Sequence, residues 1–221
     1  MPDTYHATRV PPDSRRDVLW KTLCDHYFGR FVEPEDCVLD IGCGYGGFIN
    51  NIRAGERIAL DPWPGFADYL QEGIRAQVGK VQDLGFLSDG SVDFAFASNV
   101  FEHVTQADFA LCLLALKTKL SAKGTLNIVQ PNYRYCASEY FDDYTHVSIY
   151  SHVSLADFLR VNGYEVLEVR PRFLPLTVKS RLPVSPLLIR LYLWLPFKPL
   201  GKQMLIRARP RRGPEPANFE S

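Results

Sequence analysis

The sequence predicts an α/β domain in which a mostly parallel sheet is covered by helices on both faces. Two observations carry that expectation. Short apolar runs that read as strands alternate with helical patterns at the spacing of βαβ units. The first of these runs also opens directly into a glycine-rich turn. With 221 residues, 46% of them hydrophobic and 23% charged, the chain is long enough to bury one large core. The expected organisation is a flexible N-terminus over 1–12, one domain over 13–209 with a Pro-rich apolar insertion at about 175–200, and a disordered tail over 210–221.

Taken in order, residues 13–31 carry Val18, Leu19, Leu23, Tyr27 and Phe28 at helical spacing, which predicts a helix on the edge of the domain. The strand candidates that follow are CVLDIG from Cys37, RIALD (57–61), VGKVQD (78–83), DFAFAS (93–98) and TLNIVQP (125–131). Helices are expected between them over 45–53, 66–72 and 107–119. In the last third, 155–162 followed by Gly163 reads as a helix with a glycine stop. YEVLEVR (164–170) and QMLIRAR (203–209) are two further strands, joined by a proline-rich connection that contains an apolar helix candidate over 187–195.

Gly42, Gly44 and Gly47 form GxGxxG between a strand and a helical pattern, where missing Cβ atoms let the chain turn tightly and a ligand approach the backbone. Asp40 narrows the choice of ligand. A dinucleotide would set its pyrophosphate beside this carboxylate and be repelled. S-adenosyl-L-methionine has no phosphate and carries an ammonium and a sulfonium, so Asp40 would attract it. Asp61 closes the second strand candidate, where a carboxylate accepts both ribose hydroxyls. Asp83 closes the third, placed to accept from the adenine amino group while Leu84 packs on the ring. Each aspartate taken singly also fits a turn or capping residue. Ligands of open α/β sheets bind at the carboxyl ends of strands, and the three together point there.

VLDIGCGYGGF, ALDPWP, VQDLGFLSDGSVDFAFASNVFEHV and LSAKGTLNIVQPN, in this order, resemble the successive signature segments of class I S-adenosylmethionine-dependent methyltransferases. The resemblance covers roughly residues 35–170. It implies a Rossmann-like, doubly wound, seven-stranded sheet whose last strand runs antiparallel beside the fifth. It also implies cofactor contacts at Asp40, Gly42, Cys43, Gly44, Asp61, Pro62, Asp83 and Leu84, with the turn carrying Ser98 and Asn99 closing over the cofactor. Asp61-Pro62-Trp63 departs from the pattern, since many members follow the acid with a small or β-branched residue.

The acceptor side is expected in YFDDYTHVSIYSHVSL (140–155), between the fifth strand and the next helix. Methyl transfer to a hydroxyl requires an in-line approach and removal of the proton, for which a histidine is the natural base. His146 lies in Asp143-Tyr144-Thr145-His146, which resembles a D-x-T-H segment of methyltransferases from bacterial polysaccharide and natural-product gene clusters. This resemblance implies an O-directed enzyme acting on a sugar or glycan intermediate. His146 equally fits a residue that fastens its loop, and His103, after Glu102, is the second candidate base. A small-molecule methyltransferase for a quinone, phenol or amine is the alternative, and a non-catalytic cofactor-binding protein is another. An NAD-dependent reductase is disfavoured by Asp40 and by the lack of a Tyr-x-x-x-Lys pair.

Five cysteines with no CxxC pair argue against a disulfide framework and a zinc site, so no metal is expected. The first residues lack the apolar run of a secretory signal, and a cytoplasmic location is expected. Net charge is zero, yet residues 1–168 hold 14 Lys or Arg against 23 Asp or Glu, while 169–214 hold 11 Lys or Arg and no acid. The basic part is rich in proline and leucine rather than in stacking aromatics, which disfavours nucleic acid. The basic residues Lys179, Arg181, Arg190, Lys198 and Lys202 beside Tyr192, Trp194 and leucines suit a peripheral contact with an anionic membrane at its inner face; a helix that simply caps the sheet edge or forms a dimer contact fits as well.

Overall fold

The computed structural model describes residues 13–176 and 185–213. The expected flexible start and most of the expected tail lie outside them, as do Lys179, Arg181 and Pro183 of the insertion. Seven strands form one sheet in the order β3-β2-β1-β4-β5-β7-β6. They are β1 (Cys37–Ile41), β2 (Glu56–Asp61), β3 (Ile74–Val78), β4 (Val92–Ser98), β5 (Leu120–Pro131), β6 (Tyr164–Pro175) and β7 (Gly201–Pro210). Pairings among the first five are parallel, and β7 enters antiparallel between β5 and β6. This is the fold class that the sequence predicts.

Side-chain alternation divides the core between the two faces of the sheet. Leu39, Ile41, Ala95 and Ala97 face a cluster that includes Phe109, Cys112 and Leu116 of helix α2 (Gln106–Lys119) and Leu155 and Leu159 of helix α4 (His152–Val161). Val38, Phe94 and Phe96 face the opposite cluster with Leu23 of helix α1 (Ser14–His26), Phe28 and Phe48. Asp40 has the parity of Val38 and so belongs to this second face. A four-residue helix α3 (Tyr133–Cys136) follows β5, and α5 (Pro186–Trp194) precedes β7.

Helix starts follow local chemistry. The Thr105 side chain accepts from the Asp108 N–H, and Ser151 and Ser154 form a reciprocal capping box that satisfies donors left open in a first helical turn. Two segments expected to be helical are not regular α-helix. Residues 44–51 form hydrogen-bonded turns because Gly44 and Gly46 hold φ of +52° and +71°, which no right-handed helix accommodates. Pro64–Tyr69 is a 3-10 helix.

The third strand lies at Ile74–Val78, before the segment expected for it. Gly79 and a turn over Lys80–Asp83 end the ladder there, with the Asp83 carboxylate accepting from the Lys80 N–H at 2.9 Å. Its edge position and largely exposed side chains explain why no strong apolar run marks it.

Candidate active site

The carboxyl ends of β1, β2 and β4 converge on one edge, where β1 leads straight into Gly42. The N–H groups of Gly42 and Cys43 donate to the Leu60 carbonyl at 2.7 and 3.2 Å, which ties the turn to β2. A Cβ on Gly42 would stand 2.5 Å from Val100 Cγ2, at a φ of +70°. Only glycine fits there. Gly44 faces open space, and Gly47 lies against Trp20 of α1.

Asp61 secures both sides of the turn. Its two carboxylate oxygens accept from the Gly44 N–H and the Trp63 N–H, each at 2.9 Å. Beyond it, Pro62 is exposed. Trp63 packs edge-on against Tyr45 at 5.3 Å between ring centroids and tilts toward Tyr69 at 5.8 Å. Asp40 is buried, and burial together with the Asp61 charge pushes its carboxyl up to about 8, against a backbone hydrogen bond from Ile49. Two carboxylates at the ends of adjacent strands thus leave a local demand for positive charge.

The turn after β4 adds the third side. Asn99 adopts a left-handed φ of 55°, its N–H donates to the Val129 carbonyl at 2.8 Å, and its side chain links Ser98 and Gln203. Asp83 is exposed in the loop after β3 rather than at the strand end. Leu84 is turned into the core, so its side chain does not offer a face to a ligand ring. The sequence reading of these two positions is corrected in placement, because β3 ends five residues earlier.

The next residues meet the 140–155 loop, where the acceptor side is expected. Val100, pressed on Gly42, leads into a 3-10 turn over Phe101–His103. The Glu102 carbonyl accepts from Val147 at 2.8 Å and Ser148 at 3.1 Å, which draws the 140–155 loop onto this turn. The rings of His103 and His146, 43 positions apart, come to 4.7 Å between centroids. His146 Nδ1 lies 2.6 Å from the Tyr140 carbonyl. That oxygen can only accept, so Nδ1 carries a proton, and in the neutral ring Nε2 holds the lone pair. The Thr145 hydroxyl donates to Asp143 at 2.6 Å and therefore accepts from His103 Nδ1 at 2.9 Å, with the same consequence for His103.

Burial, aided by the neighbouring His146, holds His103 down to about 4, so the ring is neutral near pH 7. Glu102 is 0% exposed, and among the described residues neither of its carboxylate oxygens has a hydrogen-bond partner. Burial pushes it up to about 8. The sequence places Glu102 beside His103 after the fourth strand, but local spacing could not reveal its burial, which accompanies the docking of the 140–155 loop on this turn. His152 stands apart, stacked on Tyr135 and bonded to buried Asn132 at the start of α4.

A sheet in this order, with a glycine turn after the first strand and a carboxylate closing the second, is the Rossmann-like architecture of S-adenosylmethionine-dependent methyltransferases. Residues 39–128 match the family model described as a methyltransferase domain. An uncharacterized methyltransferase of Schizosaccharomyces pombe is 27% identical over 110 residues, which is 45% of this chain and 40% of that protein. The chain thus spans about two fifths of the length of this curated relative.

Among solved structures, a SAM-dependent methyltransferase from Archaeoglobus fulgidus superposes with a TM-score of 0.66 at 20% identity, covering 93% of this chain and 97% of that one. Geranyl diphosphate C-methyltransferase from Streptomyces coelicolor A3(2), solved with Mg2+, geranyl diphosphate and S-adenosyl-L-homocysteine, gives 0.59 at 17% identity over 87% and 76% of the two chains. At these identities the likeness speaks for the fold.

The raised Asp40 yields a stability prediction. Its folded value, about 8, lies above the ordinary carboxylate value of about 3.9, so the folded protein keeps a proton that the unfolded chain has lost. This group's contribution is therefore most favourable at low pH and declines as pH rises from about 4 to about 8. Asp40→Asn should gain stability relative to wild type across that window. Calorimetric melting of both ligand-free proteins at about pH 5 and about pH 8.5 checks this; parallel profiles would show that Asp40 is not held protonated.

Proposed function

We propose that this protein is an S-adenosylmethionine-dependent methyltransferase that O-methylates a sugar or glycan intermediate. The observation that carries the reading is the pair Asp40 and Asp61 around a glycine turn that contains no cation of its own. Asp40 attracts the cofactor's ammonium, directly or through water. Asp61 accepts from the ribose hydroxyls with the lone pairs left over from Gly44 and Trp63. The backbone at Gly42, Cys43 and Gly44 gives the cofactor close approach, while Ser98 and Asn99 border it from β4. Asp83 lies toward the adenine. Pro62 and Trp63, with Tyr45 and Tyr69, form the wall on that side.

At the acceptor side an oxygen lone pair attacks the sulfonium methyl in line, the C–S electron pair stays on sulfur, and S-adenosylhomocysteine is formed. The hydroxyl proton passes to His146 Nε2, the nitrogen left basic by the Nδ1–H bond to Tyr140. His103, held by Thr145, lines the same space. Support for a hydroxyl acceptor is the presence of two adjoining imidazoles, His103 among them held neutral, where a proton must leave. Support for a sugar is the Tyr, Asp and His content of the loop, which suits a polyhydroxylated ligand better than an aromatic one.

The turnover of His146→Ala on a sugar acceptor is expected to fall about 100-fold or more, with cofactor affinity nearly unchanged. Equal turnover in variant and wild type across pH would assign the base elsewhere.

We also propose that α5 rests on an anionic membrane surface. Among the described residues no helix is long and apolar enough to cross a membrane. The outer face of α5 exposes Leu187, Leu188, Leu191 and Trp194, continued by Phe197, while Ile189 packs inward. Arg190 is exposed on the helix. Lys198 is excluded as a lipid contact, because its ammonium donates to the Tyr192, Leu193 and Leu195 carbonyls at 2.5 to 2.8 Å and so closes the helix C-terminus. Lys202 is paired with Glu139. Apolar insertion therefore outweighs charge attraction, at about 1 kcal/mol per remaining basic residue. Sedimentation with anionic vesicles should deplete the wild type from solution, and Trp194→Glu should restore it. Wild type that stays in solution with anionic and neutral vesicles alike would make α5 a cap on the sheet edge.

A further inference from the structure

Glu102, His103 and His146 raise a question that proton transfer does not answer. One carboxylate oxygen and one nitrogen from each ring lie within 4.8 Å of one another, and the carboxylate is fully buried without a hydrogen-bond donor. Burying such a group uncompensated is costly. Proteins meet the cost by keeping the group protonated or with a paired cation, a donor network or a metal ion, and among the described residues no hydrogen bond from another side chain reaches this carboxyl group.

We propose that these three side chains bind a divalent first-row transition-metal ion, Zn2+ or a close neighbour, with open coordination positions toward the acceptor. Two imidazoles and one carboxylate form a ligand set that favours such ions over Ca2+ or Mg2+, which prefer oxygen alone. Three protein ligands leave the fourth position for a substrate oxygen.

The surroundings have the features of a metal site. Each histidine is oriented through Nδ1, His146 by the Tyr140 carbonyl and His103 by the Thr145 hydroxyl, itself held by Asp143. Outer bonds of this kind fix the tautomer and present Nε2 for coordination. Ligand atoms on one ion at about 2.0–2.2 Å stand about 3–4 Å apart, so the cluster must close by roughly 1 Å, within the reach of side-chain rotation. His103 and His146 are only half-buried, which gives the ion a path inward. The expectation of no metal rested on the cysteines, and none of them takes part.

The inference deepens the methyltransferase reading and rests on it for the ion's role, though not for its binding. An ion here would lower the pKa of an acceptor hydroxyl bound to it, and the proton would leave to water. His146 Nε2 cannot be ligand and base at once, so its role as base belongs to the metal-free protein, and in the metal-bound protein the lowered hydroxyl pKa takes its place.

The test uses the full chain, stripped with chelator and titrated with Co2+, whose visible bands report the ligand set, then with Zn2+ followed by elemental analysis. About one ion per chain is expected. Glu102→Gln, His103→Ala and His146→Ala should each weaken binding 10-fold or more, and the orienting variant Thr145→Val by about 10- to 100-fold. Calorimetry with S-adenosylmethionine on every variant confirms folding. Wild type that takes up neither ion, or that binds them no better than Glu102→Gln, overturns the metal site. If S-adenosylmethionine still binds in that case, the methyltransferase reading survives; absence of cofactor binding in metal-loaded and metal-free wild type would defeat that reading instead.

Discussion

The structure depends on a confrontation of two carboxylates at the ends of neighbouring parallel strands. β1 and β2 pair in register so that Asp40 lies beside Ala59 and Asp61 follows directly after Leu60, the partner of Ile41. The sheet thereby brings two acids to the edge where the glycine turn begins. Asp61 is satisfied by two backbone N–H groups, and in holding them it shapes the turn. Asp40 has less support and keeps its proton. A ligand that brings positive charge relieves this arrangement, and a pyrophosphate would aggravate it. The same electrostatics explains why a loop with the GxGxxG spacing here suits a sulfonium cofactor.

The side that carries the two imidazoles is coupled to this turn through a short path in the chain. Val100 fills the space that a Cβ on Gly42 would need, and two residues later Glu102 anchors the 140–155 loop by its carbonyl. The loop is locked further by the Tyr140 hydroxyl donating to Ser148 O at 2.5 Å and by Ser148 Oγ donating to Val104 O at 2.7 Å. Asn132, fully buried at the end of β5, fastens the loop's far end through the His152 N–H and reaches the Pro171 carbonyl. The two imidazoles are therefore set by backbone contacts on either side and keep their positions relative to the glycine turn.

Much of this was legible in the sequence, for physical reasons that also mark where it ceased to be. The buried central strands were visible because both faces are covered, so β1 and β4 read as continuous apolar runs. The antiparallel β7 came from resemblance, since no local pattern reveals strand direction. Edge strand β3 lacks an apolar run, and its misplacement carried Asp83 and Leu84 with it. The helix expected over 45–53 failed at Gly44 and Gly46, whose positive φ values are invisible to hydrophobic periodicity. Lys198 read as a surface cation because its three carbonyl partners exist only once α5 has formed. His103 and His146 were each legible as bases, yet their contact, and the orphaned Glu102 beside them, arise only from tertiary folding.

The most direct test of the central claim is the proton balance of cofactor binding. A cation placed beside Asp40 should draw off the carboxyl proton, so binding of S-adenosylmethionine near pH 7 should release protons. Titration calorimetry in two buffers of different ionisation enthalpy measures that release, and the same titration on Asp40→Asn separates it from the ligand's own ionisation. The account predicts more proton release from wild type than from Asp40→Asn, together with negligible binding of NAD. Equal release from both proteins, or binding of NAD without S-adenosylmethionine, would contradict it.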